Sequence, residues 1–132
     1  MRSLVIQREV ESHVLISEAA RLSGLVTVLE LGEQLKAHDV PEFQDTLQQL
    51  VDQGRTYLLL DCARIYSVDS VGIGSLVGNW ISIRKRGGKL ALLNPSARFE
   101  SVLKLVGLQG VIESFDDLSK AMPPGISNST SP

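Results

Sequence analysis

The sequence predicts an α/β domain built on a mixed sheet, and three observations predict it. Short apolar runs at residues 25–31, 57–60 and 89–93 are rich in the residues that favour strands. Between and after them, apolar residues recur at intervals of three and four, as they do on amphipathic helices. The two patterns alternate along the chain in the order β, β, α, β, α, β, α, then a short β and a final α. Alternation of this kind is the pattern of a sheet covered by helices.

Taken in order, residues 1–23 are the least patterned. Ser3-Leu4-Val5-Ile6-Gln7 and His13-Val14-Leu15-Ile16 are short apolar runs, and Ser17-Glu18-Ala19-Ala20-Arg21 is weakly helical by composition. One strand is assigned before residue 17. Leu25–Leu31 reads as a strand closed by Gly32, followed by a polar loop from Glu33 to His38. Asp39 has the position of an N-cap, with Val40 and Pro41 as the first helical residues and Glu42 three residues after the cap. Phe43, Leu47, Leu50 and Val51 form the apolar face of that helix. Gln44, Asp45, Gln48, Gln49 and Asp52 form its polar face, and Gly54 ends it.

Tyr57–Leu60 is a near-continuous apolar run, as expected of a central strand buried on both faces. The next helix is expected from about Ser70 to Arg86. Its inward stripe is Ile73, Leu76, Val77, Trp80, Ile81 and Arg84, widened by Ile83, and its basic end suits a helix C-terminus. Gly87-Gly88 stops it, and Lys89–Leu93 is the following strand. Ser96 caps a third helix, Ala97 to Val106, whose core face is Phe99, Val102, Leu103 and Val106. Val111-Ile112 is expected as a short last strand, and Phe115–Ala121 as a final helical turn or two. The Pro- and Ser-rich residues 123–132 are expected to be a disordered tail. The expected organisation is one domain over residues 1–122, with 1–23 as a variable N-terminal segment.

Composition narrows the function. A chain of 132 residues can bury a proper core, and 43% hydrophobic with 21% charged residues is ordinary for a globular protein. A net charge of -2 does not favour nucleic-acid binding. No apolar run approaches the roughly 18–20 residues needed to span a bilayer, and MRSLVIQREVES lacks the apolar core of a secretory signal. A soluble cytoplasmic protein is therefore expected. Cys62 is the sole cysteine and His13 and His38 the only histidines, so neither an internal disulfide nor a histidine-rich metal site is expected. Cys62, after a buried strand, reads as packed and not reactive, His38 as a loop residue and Trp80 as core.

The stretch Val68-Asp69-Ser70-Val71-Gly72-Ile73-Gly74-Ser75-Leu76-Val77-Gly78 carries the candidate chemistry. Its glycines do not have the spacing of a phosphate-binding loop, since no lysine follows a suitable glycine. A dinucleotide fingerprint needs a glycine at position 77, which is Val. Mid-helix glycine costs roughly 1 kcal/mol relative to alanine, so Gly74 and Gly78 imply either close packing or a thin surface that admits a partner. Ser70 lacks the G-x-S-x-G context of a nucleophile and has no histidine in an obvious base position, so no enzymatic activity is expected. Asp61 and Asp69 read as solvated or capping residues. Ser70 has two readings. One is an N-cap hydroxyl. The other is a regulated hydroxyl at a helix N-terminus, where phosphorylation adds about -1.5 to -2 charges. Arg84-Lys85-Arg86 and Lys89 read as a solvated helix end before a binding patch.

Leu59-Leu60-Asp61 followed by Val68–Val77 resembles the signature of STAS domains of the anti-sigma factor antagonist type. Asp39-Val40-Pro41-Glu42-Phe43, Gly87-Gly88-Lys89-Leu90, Asn94-Pro95-Ser96-Ala97 and Val102–Leu108 extend the resemblance over about residues 24–121. It implies a four- to five-stranded mixed sheet with helices mainly on one face. It also implies a regulatory binding module with no cofactor, phosphorylated at Ser70. The implied partner surface is Asp69, Ser70, Val71, Gly72, Gly74, Ser75 and Gly78. The implied partners are an anti-sigma factor with serine kinase activity and a PP2C-type phosphatase. Two positions depart from the pattern. Val71 replaces the usual Ser or Thr before the glycine, and Lys36 stands where the family usually has an acid. Val71 motivates an alternative, a STAS subunit that binds a transporter ATPase or signalling scaffold without phosphorylation. A nucleotide-binding protein is the third alternative.

Overall fold

The computed structural model describes residues 5–7, 14–17 and 26–121. The expected helical composition of Ser17–Arg21 falls mainly, and the 123–132 tail entirely, outside them. Strands β1 (Val5–Gln7), β2 (Val14–Ser17), β3 (Val26–Leu31), β5 (Tyr57–Asp61), β7 (Lys89–Leu93) and β8 (Ser114–Phe115) form one six-stranded mixed sheet in that order. The β1–β2 and β2–β3 pairs are antiparallel, and β3, β5, β7 and β8 run parallel. A second sheet pairs β4 (Gln34–Leu35) with β6 (Ser67–Val68), also in parallel. The helices are α1 (Val40–Asp52), α2 (Ser70–Lys85), α3 (Ala97–Leu105) and α4 (Leu118–Ala121).

The helices α1, α2 and α3 connect consecutive parallel strands, and the strand order advances in one direction. Right-handed crossovers that advance one way place every helix on the same face. The packing follows. Phe43, Leu47 and Leu50 of α1, Leu76 and Ile83 of α2, and Phe99 and Leu103 of α3 share one core with Leu29, Leu58, Leu60, Leu90 and Leu92. The alternate strand residues Val26, Val28, Leu59, Ala91 and Leu93 belong to a smaller core with Ala121, Phe115 and Leu118. The two sets follow the period-2 alternation of strands. In β5, Leu58, Leu59 and Leu60 are all fully buried, as the unbroken apolar run requires. Burying each such side chain stabilises the fold by about 1.5–3 kcal/mol.

Several details differ from the sequence expectation. Both N-terminal apolar runs are strands, not one of them, which raises the main sheet to six. The supposed loop after Gly32 contains β4 and a 3₁₀ turn at Ala37–Asp39. Asp39 precedes α1, but its carboxylate makes no hydrogen bond into the helix. It accepts from the Lys36 N–H at 2.9 Å and so closes the 3₁₀ turn instead. Pairing of the last strand begins at Ser114. Ile112 is buried in a turn that follows α3, where its N–H and that of Val111 donate to the Leu108 carbonyl. Val106 lies past the end of α3 and is 49% exposed. Ile81 is 43% exposed, on the side of α2 away from the sheet.

On the smaller core's face, the Tyr57 hydroxyl donates to the Ala121 carbonyl and anchors α4. Lys89 lies 5.2 Å from the Tyr57 ring centre and 2.8 Å from Glu113, so it belongs to this anchor and not to the basic end of α2. Tyr57→Phe is expected to cost about 0.5–1.5 kcal/mol in urea unfolding. It should also speed amide exchange in residues 118–121 while leaving β5 protected.

Candidate functional site

The loop from β6 into α2 is fixed by one carboxylate. Asp69 is the N-cap of α2, in extended conformation, and its Oδ1 accepts from the Gly72 N–H at 2.8 Å. Its Oδ2 accepts from the Ala37 N–H at 3.0 Å, 32 residues earlier in the chain. The first bond satisfies one of the free donors at the helix start. The second ties that helix start to the turn that feeds α1. The Gly72 bond, then the Ala37 bond, hold the Asp69 carboxyl below the usual aspartate range. Desolvation opposes them, and the Val71 N–H and then the Lys36 charge add to the lowering.

Gly72 sits where the chain allows nothing larger. A Cβ at this position would lie 2.0 Å from the Leu35 carbonyl oxygen. The first turn of α2 therefore rests directly on the backbone of β4, and β4 is held by its pairing with β6. Gly74 and Gly78 behave differently. Both are exposed, and among the described residues an added Cβ would meet nothing within 4 Å beyond the helix itself. Close packing does not explain them.

The expected site residues thus separate into three groups. Ser70, Val71, Gly74 and Gly78 are exposed and fall with Ile81 on one strip of α2, roughly 100° wide at helical spacing. Val71 is 51% exposed. Asp69 and Gly72 lie beneath this strip and position it. Ser75 turns toward α1, where its hydroxyl donates to Gln44 Oε1 at 3.0 Å. Asn79 Nδ2 donates to the same oxygen at 2.7 Å. By sequence Gln44 falls only on the polar face of α1, since nothing in the α1 pattern distinguishes it from its polar neighbours. Ser70 is the first residue of α2 and not its cap, so its hydroxyl is not consumed by the helix start. Asp61 accepts from the Ala63 N–H at 3.1 Å and shares no site with Asp69. Cys62 is fully buried, and burial raises its thiol pKa well above the ordinary value. Among the described residues, no helix is long and apolar enough to cross a membrane.

A one-sided helical layer on a mixed sheet, with a capped serine-bearing helix start over a two-stranded ribbon, defines a small α/β domain of a particular kind. The family model described as STAS domain matches residues 18–121, and the chain belongs to this family. The anti-sigma-B factor antagonist of Bacillus subtilis is 28% identical over 86 residues, covering 64% of this chain and 77% of the relative. The NMR structure of the Thermotoga maritima protein TM1081 matches with a TM-score of 0.67 at 28% identity, over 74% of this chain and 78% of that one. The phosphorylated form of the Bacillus cell fate determinant SpoIIAA has the same fold. Its TM-score is 0.57 at 24% identity, over 73% of this chain and 87% of that one.

Two predictions follow from the geometry. Asp69→Ala is expected to destabilise the protein at neutral pH in chemical unfolding. Because the folded-state pKa of Asp69 is lowered, its contribution is complete above the unfolded-state value. It is lost as pH falls through the folded-state value. The difference between wild type and variant should therefore shrink toward zero in acid. At two glycines two residues apart, alanine should act in opposite directions. Gly72→Ala is expected to cost about 1–3 kcal/mol through the Leu35 clash. Gly74→Ala should gain about 0.5–1 kcal/mol through helix propensity.

Proposed function

We propose that this protein is an anti-sigma factor antagonist whose binding surface is the exposed strip of α2 beginning at Ser70, switched by phosphorylation of that serine. The observation that carries the reading is the state of Ser70. It is the first residue of α2, exposed, and free of the capping role that Asp69 fills. Both Asp69 oxygens are committed to backbone N–H groups, which fits a positioning role and not activation of Ser70 as a nucleophile. The helix N-terminus tolerates added negative charge.

The strip beside Ser70 suits a protein partner. Gly74 and Gly78 remove side chains from a helix that their absence does not help to pack, and Val71 and Ile81 supply exposed apolar area. Backbone can approach such a surface closely. Two relatives of Bacillus and Listeria are named anti-sigma-B factor antagonists, at 28% identity each. In the proposed cycle the partner is an anti-sigma factor with serine kinase activity. A PP2C-type phosphatase restores the unmodified serine. Phosphate at Ser70 would stand beside the Asp69 carboxylate, and this concentration of negative charge is what would expel the partner.

Affinity capture on immobilised wild-type, Ser70→Asp and Gly74→Leu proteins from the native cell, with identification of the retained proteins, tests this. Wild type is expected to retain a small kinase-like ATPase. Both variants should lose it by at least about tenfold, or roughly 1.4 kcal/mol. With ATP, the captured kinase should label wild type and not Ser70→Ala. Equal retention by Ser70→Asp together with recovery of a transporter ATPase would replace the switch with phosphorylation-independent binding.

A further inference from the structure

The loop that precedes β6 and the first turns of α3 enclose an open cleft of about 400 Å³ that the proposed regulatory surface does not use. Tyr66 and Arg98 define its mouth. The Arg98 guanidinium stacks on the Tyr66 ring at 4.6 Å, and its Nε donates to the Tyr66 carbonyl at 3.0 Å. These two contacts fix a side chain that would otherwise sample many rotamers. They use one N–H and leave the terminal amino groups of the fork available. Among the described residues, no carboxylate forms an ion pair with it. The hydroxyls of Ser67 and Ser101 also line the cleft, and neither has a hydrogen-bond partner among the described residues. Val68 and Val102 supply apolar wall, and Tyr66 is 63% exposed at the rim.

We infer that this cleft binds a carboxylate carried on a small apolar body. A guanidinium held in place recognises a planar carboxylate with two parallel N–H donors. The free hydroxyls can complete the hydrogen bonding of its oxygens. Among the described residues the cleft presents one cation and no acid, so its charge matches a monoanion. A phosphate dianion would be left half-neutralised, and the apolar walls would gain nothing from it. An aryl or branched alkyl group places its carbon skeleton against Val68, Val102 and the Tyr66 ring. The volume lies in the range of small-molecule sites. This inference does not depend on Ser70 or on the identity of any protein partner.

The test is an NMR titration of the ¹⁵N-labelled full chain with acetate, benzoate and inorganic phosphate at constant pH and ionic strength. Benzoate is expected to give saturable shifts at Tyr66, Ser67, Arg98 and Ser101, with a Kd on the order of 1–10 mM. Acetate should bind several-fold more weakly at the same residues. Arg98→Gln should weaken benzoate by about tenfold or more while preserving the rest of the spectrum. If that variant disturbs the Tyr66 loop, Ser101→Ala carries the test, with a several-fold loss. No saturable shift in the cleft, benzoate binding unchanged by both substitutions, or phosphate binding as tight as benzoate would each overturn the assignment.

Discussion

The Asp69 carboxylate is the interaction on which the candidate site depends. It joins two backbone donors that the sequence places 32 residues apart, one in the turn before α1 and one in the first turn of α2. Backbone donors at helix starts need partners, so the carboxylate is satisfied where it stands and costs the fold no orphaned charge. Its effect is geometric. With Asp69 as cap, Ser70 becomes the first helical residue and its side chain is released to the surface. Gly72 then completes the arrangement from below, because only a residue without a Cβ lets the helix meet the Leu35 carbonyl. The short β4–β6 ribbon, which has little core of its own, serves as the seat for this contact.

The rest of α2 shows what this seat supports. The helix gives up intrinsic stability at Gly74 and Gly78, and no packing among the described residues returns it. It is held instead by Leu76 and Ile83 in the main core, by partly buried Ile73 and Trp80, and by the Gln44–Ser75–Asn79 hydrogen bonds along its border with α1. At its far end Arg84 stacks on Trp80 at 4.8 Å. The buried side is thus secured at several points, and the outer strip can remain thin. A helix that is rigid on one side and bare on the other is suited to receive another protein without reorganising, which lowers the ordering cost of binding.

Sequence made the architecture legible where one residue pattern served one purpose. The unbroken apolar run of β5 announced burial on both faces, and Ser96 before α3 announced a cap that the structure supplies, with its Oγ accepting from the Phe99 N–H at 3.0 Å. Legibility failed where a contact joins distant segments. Nothing around Glu33–His38 signals a two-residue strand, because β4 exists through its pairing with Ser67–Val68. Asp39 had every local mark of a helix cap, yet a nearer donor, the Lys36 N–H, claimed its carboxylate. The glycines were ambiguous for the same reason. The spacing of Gly74 and Gly78 allows close packing or a thin surface, and the tight contact belongs instead to Gly72, which only the position of Leu35 reveals. Ile81 and Val106 fit the helical stripe by type while lying on exposed backbone positions.

These constraints also limit how a phosphate at Ser70 would act under the proposed reading. Two effects oppose each other there. The first turn of a helix attracts negative charge, and Lys36 is near enough for its charge to lower the Asp69 pKa. The Asp69 carboxylate repels it. Asp69 cannot move away without surrendering the Gly72 and Ala37 hydrogen bonds, and Gly72 cannot move without opening the contact with β4. The cheaper response is for the added group to remain in solvent, where repulsion is screened. The fold would then be nearly indifferent to the modification. The partner would not be, since docking on the strip would trap a dianion against the low-dielectric interface and remove its hydration. A switch of this construction would work by changing the chemistry of a fixed surface, and the same cap that exposes the serine would keep the signal from being spent on refolding the domain.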